Sequence, residues 1–213
     1  MTEVISFGNG KKAYIFCGIK GLVRDGERLR EELERIGPDR IYVSISPEEI
    51  RGLEQFLREP FEMTLSDYEI MYGVGLSRYG EVMTPPPIYI EAMQYAGRKN
   101  VPIIGLDMNE EDFTQLYTDI IKPRDILMHS LRKKSIIRRK FPYDNPEDFV
   151  IAWDRAVTKN RRMRAIEDIR TESMIKTFLT DFKETDSDRA MVVMELERCG
   201  KVLDAVKLEL SSS

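Results

Sequence analysis

An acidic run that follows an apolar segment has the residue types of a metal site. Residues 107–112 read Asp-Met-Asn-Glu-Glu-Asp and come directly after the apolar stretch Ile103–Leu106. Four carboxylates at the end of a strand can bind Mg²⁺ through oxygen, and ligands of α/β sheets gather at strand ends. The run also fits a helix start, because Asn109 can cap a helix whose first turn is acidic. We favour the cap and keep Asp107, at the strand end, as a candidate functional residue.

An arginine on an apolar helix stripe is the second candidate. At about 100° per residue, Arg170 and Glu167 share one side of a helix with apolar neighbours. Those neighbours are Met163, Ile166, Met174 and Phe178. A buried charge needs a partner, so one interpretation is an ion pair between Arg170 and Glu167 that braces the helix. The other is an arginine that binds an anion, for which the forked guanidinium is suited.

Histidine and cysteine are scarce, which excludes several kinds of site. His129 is the one histidine in 213 residues, so a site with two imidazoles cannot form within one chain, and we interpret it as a packing residue. Cys17 and Cys199 lack the CxxC spacing of a metal clip, and we predict two buried free thiols. The glycines of residues 18–26 lack the close first pair of a dinucleotide-binding turn. We therefore predict no nicotinamide, flavin or other cofactor.

Charge is balanced overall and clustered locally. The chain has 33 Lys and Arg against 37 Asp and Glu, which gives no general attraction to nucleic acid or anionic lipid. Basic clusters at residues 132–140 and 159–164 can contact phosphates, but nearby acids favour solvated helix faces. The charged fraction of 33% is compatible with the ion-pair networks of a heat-adapted protein. Without a membrane-spanning apolar run or a signal-peptide pattern at Met1–Val4, we predict a cytoplasmic protein that does not bind membranes.

Apolar segments predict four strands separated by helical patterns. Gly8-Asn9-Gly10 predicts a hairpin turn before the first strand, and Ser46-Pro47 and Asn145-Pro146 predict helix starts. The strands are predicted at Ala13–Cys17, Arg40–Ile45, Val101–Leu106 and Met191–Leu196. This alternation predicts one α/β domain over residues 1–213, with a mixed, largely parallel central sheet flanked by helices.

The stretch from Phe61 to Tyr79 is rich in tyrosine and methionine and predicts a helix that ends near Gly80. Its aromatic and sulfur-containing side chains, together with two that follow, fit a core or an interface and can also line an apolar pocket. They are Tyr68, Met71, Tyr72, Tyr79, Met83 and Tyr89.

Motifs over most of the chain resemble those of a known family. A strand and turn over residues 13–21 lead through a helix to Gly37-Pro38-Asp39, and Gly80-Glu81-Val82-Met83 follows. Further motifs are Ile103–Asp107, Arg170 with Met174, and Met191–Gly200. In this order they resemble the TraB/PrgY proteins, relatives of the Tiki, EreA and ChaN groups. The resemblance implies an α/β fold and an ancestor with metal-dependent hydrolase residues.

The positions of that family's polar residues carry other residue types here. The resemblance implies that the family has histidines at the positions of Gly21 and Arg198 and a glutamate at the position of Ser44. These three residues supply neither imidazole nor carboxylate, so we predict no metal site. The expected ligand-binding residues are Gly18, Gly21, Ser44, Asp107, Arg170 and Arg198.

The expected function is binding without catalysis. We predict a TraB/PrgY-like pseudoenzyme that binds a small anionic or peptide ligand or a protein partner, with homo-oligomerisation as a further option. The competing interpretation is a metallopeptidase-like hydrolase with a rearranged site, in which Glu81 and Asp107 are catalytic candidates beside Arg170. Nucleic-acid binding through the basic helices is the third interpretation.

Overall fold

A sheet of five strands forms the centre of the computed structural model, which describes residues 2–7, 10–139 and 141–211 without the side chains of residues 129, 131, 134, 210 and 211. The strands of this described part are β1 (Thr2–Ser6), β2 (Lys12–Gly18), β3 (Arg40–Val43), β4 (Ile103–Gly105) and β5 (Arg189–Glu195). Its helices are α1 (Val23–Ile36), α2 (Pro47–Arg58), α3 (Asp67–Leu76), α4 (Pro87–Lys99), α5 (Glu110–Ile120), α6 (Pro123–Ile137), α7 (Pro146–Val157), α8 (Arg161–Glu184) and α9 (Leu196–Ser211).

The strand order is β1-β2-β5-β3-β4, and all neighbours except β1 and β2 run parallel. This order confirms the predicted α/β domain with a mixed, largely parallel sheet. The predicted hairpin is also present, because β1 pairs antiparallel with β2 and Ile5 lies opposite Ala13. Residues 8 and 9 of its turn lie outside the described residues. The carboxyl ends of β2, β3, β4 and β5 meet at one edge of the sheet.

Alternating side chains place two apolar cores on the two faces of the sheet. Phe16 and Val193 belong to the core shared with α1, α2 and α4, whereas Ile15 and Val192 belong to the core shared with α8 and α9. These residues are at most 1% exposed. Successive residues of a strand point to opposite faces, so apolar strands such as β2 and β5 can fill both cores.

A third core covers the carboxyl edge of the sheet. Leu22 from the loop after β2 packs there with Leu76 of α3, while Phe149 and Trp153 of α7 lie with ring centroids 6.1 Å apart. This core fixes the loop between β2 and α1 against α3 and α7. No helix of the described residues is long and apolar enough to cross a membrane.

Capping side chains set the starts of several helices. The predicted starts are confirmed at α2, where the amide of Glu49 donates to Ser46 Oγ at 3.1 Å, and at α7, which Asn145 caps. The helix predicted over residues 61–79 is wrong at its start. Ser66 and Glu69 form a second capping box that begins α3 at Asp67, so residues 60–65 lack regular structure.

The two cysteines are joined in a disulfide, so the prediction of free thiols is wrong. Cys17 lies in β2 and Cys199 in α9, 182 positions apart, and their Cα atoms are 5.8 Å apart. α9 packs against β2 and β5 in the core that also contains α8. Sequence spacing did not reveal this pairing, because only the return of the chain from β5 into α9 brings the two residues together.

Candidate functional site

Predicted site residues lie at the carboxyl edge of the sheet. Ser44 follows β3 directly, and its amide donates to the carbonyl of Val193 at 3.1 Å. Asp107 lies two residues after β4, and Glu195 is the last residue of β5, where it pairs in register with Gly18 of β2. Ser44, Asp107 and Glu195 are 2%, 6% and 5% exposed, which makes this edge a buried polar layer.

Arg170 links two carboxylates in this layer. Its Nε donates to Asp107 Oδ1 at 3.2 Å, its second nitrogen bonds Asp107 Oδ2, and its third donates to Glu167 Oε1 at 2.8 Å. The Asp107 side chain is 3% exposed and that of Arg170 is 21% exposed. The predicted ion pair between Arg170 and Glu167 is therefore confirmed, and Asp107 extends it to the end of β4.

Arg198 continues the chain of contacts towards β5 and β3. Its guanidinium donates to Glu167 Oε2, and its Nε lies 3.9 Å from Glu195 Oε2. Ser44 donates to the same Glu195 oxygen at 2.7 Å, and the hydroxyls of Ser44 and Tyr89 lie 3.1 Å apart. We call these contacting residues the polar network: Ser44, Tyr89, Asp107, Glu167, Arg170, Glu195 and Arg198.

The ion pairs of the polar network keep its buried groups charged. Burial raises the pKa of Glu195, but the positive charges of Arg198 and Lys20 and the hydrogen bond from Ser44 hold it below the ordinary value. Burial lowers the pKa of Arg198, and the carboxylates of Glu195 and Glu167 raise it above its ordinary value. Glu195 therefore stays ionised at neutral pH, as does Arg198.

Glu197 is a carboxyl group for which the nearby positive charges do not outweigh burial. Its Oε2 is buried and has no hydrogen-bond partner among the described residues. Burial raises the pKa of Glu197 to about 7, with Lys20 opposing the rise and Glu195 adding to it. Two acids that lie two positions apart thus have pKa values displaced in opposite directions.

A pocket of about 400 Å³ opens at this edge beside the polar network. Its walls are α2, the segment 61–65, α3 and residues 82–86, and Tyr89 and Glu195 bring the polar network into the lining. The apolar lining residues are Ile45, Leu53, Phe56, Phe61, Met63, Leu65, Val82, Met83, Pro85 and Pro86. Three of the residues that were predicted as core or pocket lining do line the pocket, namely Tyr72, Met83 and Tyr89. The other three, Tyr68, Met71 and Tyr79, pack against the third core.

The loop after β2 forms one side of the pocket through Lys20 and Gly21. Buried Asp25 holds this loop, because its Oδ2 accepts the amide proton of Ile19 at 2.7 Å. Gly21 has φ of +100°, a conformation that a side chain would strain. The carbonyl of Gly21 accepts the amide of Met83 at 2.9 Å, which ties the loop to another wall.

The other predicted candidates have structural positions. Glu81 is exposed, and its backbone carbonyl accepts the amide of Val23 at 3.0 Å. Gly18 is buried, and a Cβ there would lie 2.7 Å from the Phe16 ring, so packing explains the glycine. Asn109 caps α5 as predicted, since its Oδ1 accepts the amide of Asp112 at 2.8 Å.

The residues at the resembled metal positions do not fit a metal ion. Gly21 has no side chain, the Ser44 hydroxyl is bonded to Glu195, and Arg198 carries a positive charge. No group of three or more His, Cys, Asp or Glu side chains in the described part of the chain is arranged to hold a metal. In the acidic run, Asp107 pairs with Arg170 and Asn109 caps a helix, so their oxygens do not converge on one ion.

The described residues of the basic clusters lie on and just after α6 and around the start of α8, where acids accompany them, and Lys140 lies outside the described residues. Lys133 pairs with Asp67 at 2.5 Å, and Arg162 pairs with Asp125. These pairs favour the interpretation as solvated helix faces over a phosphate-binding surface. His129 lies in α6, and its side chain is outside the described residues.

Sequence reasoning missed two residues of this site, namely Glu195 and Lys20. One signal for Glu195 was present, because a charged residue that ends an apolar strand three positions before Arg198 needs a partner. Lys20 gave no such signal, since its position depends on the packing of the loop after β2.

No family model matches this chain, and no curated protein does.

Proposed function

We propose that this chain is a non-catalytic, TraB/PrgY-like protein that binds a small or peptide ligand in the pocket at the carboxyl ends of the strands. The observation that carries the proposal is the pocket of about 400 Å³, whose walls are mainly apolar and whose lining includes the charged groups of Lys20 and Glu195. Clefts of this size, apolar with a few convergent polar groups and located at strand ends, are typical of small-molecule sites.

Pairing within the polar network supports binding over hydrolysis. A hydrolase needs a nucleophile, base or metal with free valence towards the substrate. Ser44 is 2% exposed and bonded to Glu195, and Asp107 is held by two nitrogens of Arg170. The rearranged hydrolase would need Asp107 and Glu81 in one site, whereas Glu81 is exposed on the loop before α4. We therefore assign the polar network a bracing role beneath the pocket.

The cytoplasm remains the proposed location. The disulfide narrows the class of cytoplasmic protein to which this chain can belong. Disulfides are rare in cytosolic proteins except in those of hyperthermophiles. The disulfide between Cys17 and Cys199 together with 33% charged residues fits an intracellular protein adapted to heat.

Metal analysis and hydrolysis assays separate binding from catalysis. We expect purified protein to carry no stoichiometric metal and to show no peptidase or esterase turnover with added Zn²⁺, Mn²⁺ or Mg²⁺. Apolar compounds such as octanol should raise its melting temperature. Turnover that disappears in Asp107→Asn and persists in the exposed control Glu172→Gln would replace this proposal by the hydrolase.

A further inference from the structure

The charged side chains that line the pocket are mostly acidic. Glu49, Glu69 and Glu195 contribute carboxylates, and Lys20 contributes an ammonium, which gives one positive against three negative charges. Glu49 and Glu69 are exposed at the mouth, whereas Glu195 is 5% exposed. The charged side chains of the lining therefore have an acidic excess, and low-dielectric walls strengthen their effect on a ligand.

The arginines near the pocket do not reverse this balance. Arg170 and Arg198 together bond the carboxylates of Asp107 and Glu167, and Arg198 also approaches Glu195. Two guanidinium groups are thus shared among three carboxylates, of which those of Asp107 and Glu195 are buried. An anionic ligand would have to displace one of these carboxylates and leave it buried without a partner, which is costly.

Lys20 is the one cation among the described residues of the lining, where three carboxylates accompany it. Its positive charge lowers the pKa of Glu195. The described lining therefore has fewer positive than negative side chains, and a cation from the ligand would reduce this imbalance.

We propose that the pocket takes an amphipathic ligand that ends in a protonated amine, with the amine at Glu195 and the apolar body between α2 and segment 61–65. This inference rests on the proposed binding function and names its ligand class. Glu195 lines the pocket, where its carboxylate can accept a hydrogen bond from an amine, and Ser44 and Arg198 reach its Oε2. Phe56 and Tyr72 also line the pocket, and aromatic side chains there can favour a cation further. The amine can belong to a small molecule or to the amino terminus of an apolar peptide.

Probes of equal chain length test the charge that the pocket selects. Octylamine, octanol and octanoate are titrated calorimetrically into the intact protein. A C-terminally amidated apolar tetrapeptide is compared with its N-acetyl form in the same way. We expect octylamine to bind most tightly and octanoate not to bind. Glu195→Gln should weaken octylamine about tenfold or more while octanol changes less than about threefold. Glu172→Gln on exposed α8 is the matched control and should change neither.

A second variant keeps the test decisive if Glu195→Gln does not fold. Lys20→Met removes the competing cation and should strengthen octylamine binding. If the pocket were instead an anion site, the same variant would lose octanoate binding. Two results would overturn the inference: octanoate binds as tightly as octylamine, or Lys20→Met weakens octylamine binding. The proposed function would remain intact in either case if octanol binds. Failure of every probe, both peptides included, would remove the proposed function too. Acetylation that abolishes peptide binding identifies a peptide amino terminus, and binding of octylamine alone identifies a small amine.

Discussion

The hydroxyl of Ser44 donates a 2.7 Å hydrogen bond to Glu195 Oε2 and thereby joins the carboxyl ends of β3 and β5 at the edge of the pocket. Because Ser44 donates to Glu195, the hydroxyl of Tyr89, 3.1 Å away, donates to Ser44. The three groups form a buried hydrogen-bonded chain from α4 to β5, and each depends on the others for its partner.

Removal of either hydroxyl from this chain should destabilise the protein. We expect Ser44→Ala and Tyr89→Phe each to lower the free energy of unfolding by roughly 1–2 kcal/mol, because Ser44→Ala removes the acceptor of the buried Tyr89 hydroxyl and Tyr89→Phe removes the donor to Ser44. The double variant should lose less than the sum by about 0.5 kcal/mol or more, since the second change removes a group already unpaired. Urea unfolding of the four proteins measures this coupling. Strict additivity would show that the two hydroxyls act independently.

Replacement of Arg170 should be more costly than any surface change on the same helix. Arg170→Ala leaves Asp107 and Glu167 without their shared cation, and we expect a loss of about 3 kcal/mol in the free energy of unfolding. Arg164→Ala, exposed on the same helix, should change it by less than about 0.5 kcal/mol. Chemical denaturation measures both losses. If Arg170→Ala and Arg164→Ala lowered the free energy of unfolding by the same small amount, the bracing role of the polar network would be contradicted.

Glu197 should make stability fall as the pH rises towards neutrality. Burial raises its pKa from 4.5 to about 7, so the folded state binds a proton that the unfolded state releases between these values. Stability from this group is present below pH 4.5 and is lost as the pH passes 7. The groups that act on its charge are Lys20 in the loop after β2, Glu195, Arg198 and Tyr72 of α3.

Glu197→Gln isolates this effect, because glutamine mimics the protonated acid at every pH. The variant should match the wild type near pH 4 and exceed it by roughly 1–3 kcal/mol near pH 8. Glu172→Gln should show no such trend. Unfolding curves at the two pH values provide the measurement, and a gain of the same size at both would show that the Glu197 carboxyl is not titrating there.

The disulfide should contribute strongly to stability, because it closes a loop of 182 positions. We expect the double variant Cys17→Ala, Cys199→Ala to lose about 2–4 kcal/mol, and reduction to lower the melting temperature of the wild type only. Thiol titration of denatured, unreduced protein checks the pairing directly. Two titratable thiols in that assay would mean that the cysteines are free.

Local features of the fold could be predicted from the sequence because their causes are local. The apolar runs of β2 and β5, the capping residues Ser46 and Asn145, and the apolar stripe around Arg170 each determine a structure within a few residues. The stripe even revealed that Arg170 needs an acidic partner. The start of α3 was misplaced because the capping box of Ser66 and Glu69 was overlooked.

The remaining features depend on contacts between distant segments. β5 inserts between β2 and β3, and this insertion brings Glu195 to Ser44 and Cys199 to Cys17. No spacing in the sequence encodes that insertion. The resemblance to TraB/PrgY proteins led to Ser44, Asp107, Arg170 and Arg198, which lie in one network, but it did not indicate that Glu195 holds part of it together.

Methyl NMR of the methionines tests the binding pocket most directly. Met63 and Met83 line the pocket and are 40% and 41% exposed, whereas Met128 on α6 is 46% exposed and outside the lining. Octanol, which is uncharged, is titrated into protein with ¹³C-labelled methionine methyl groups. The proposed function predicts saturable shifts of Met63 and Met83 with Met128 unchanged. Shifts of equal size at all three, or none at Met63 and Met83 for any probe, would contradict a ligand pocket at the carboxyl ends of the strands.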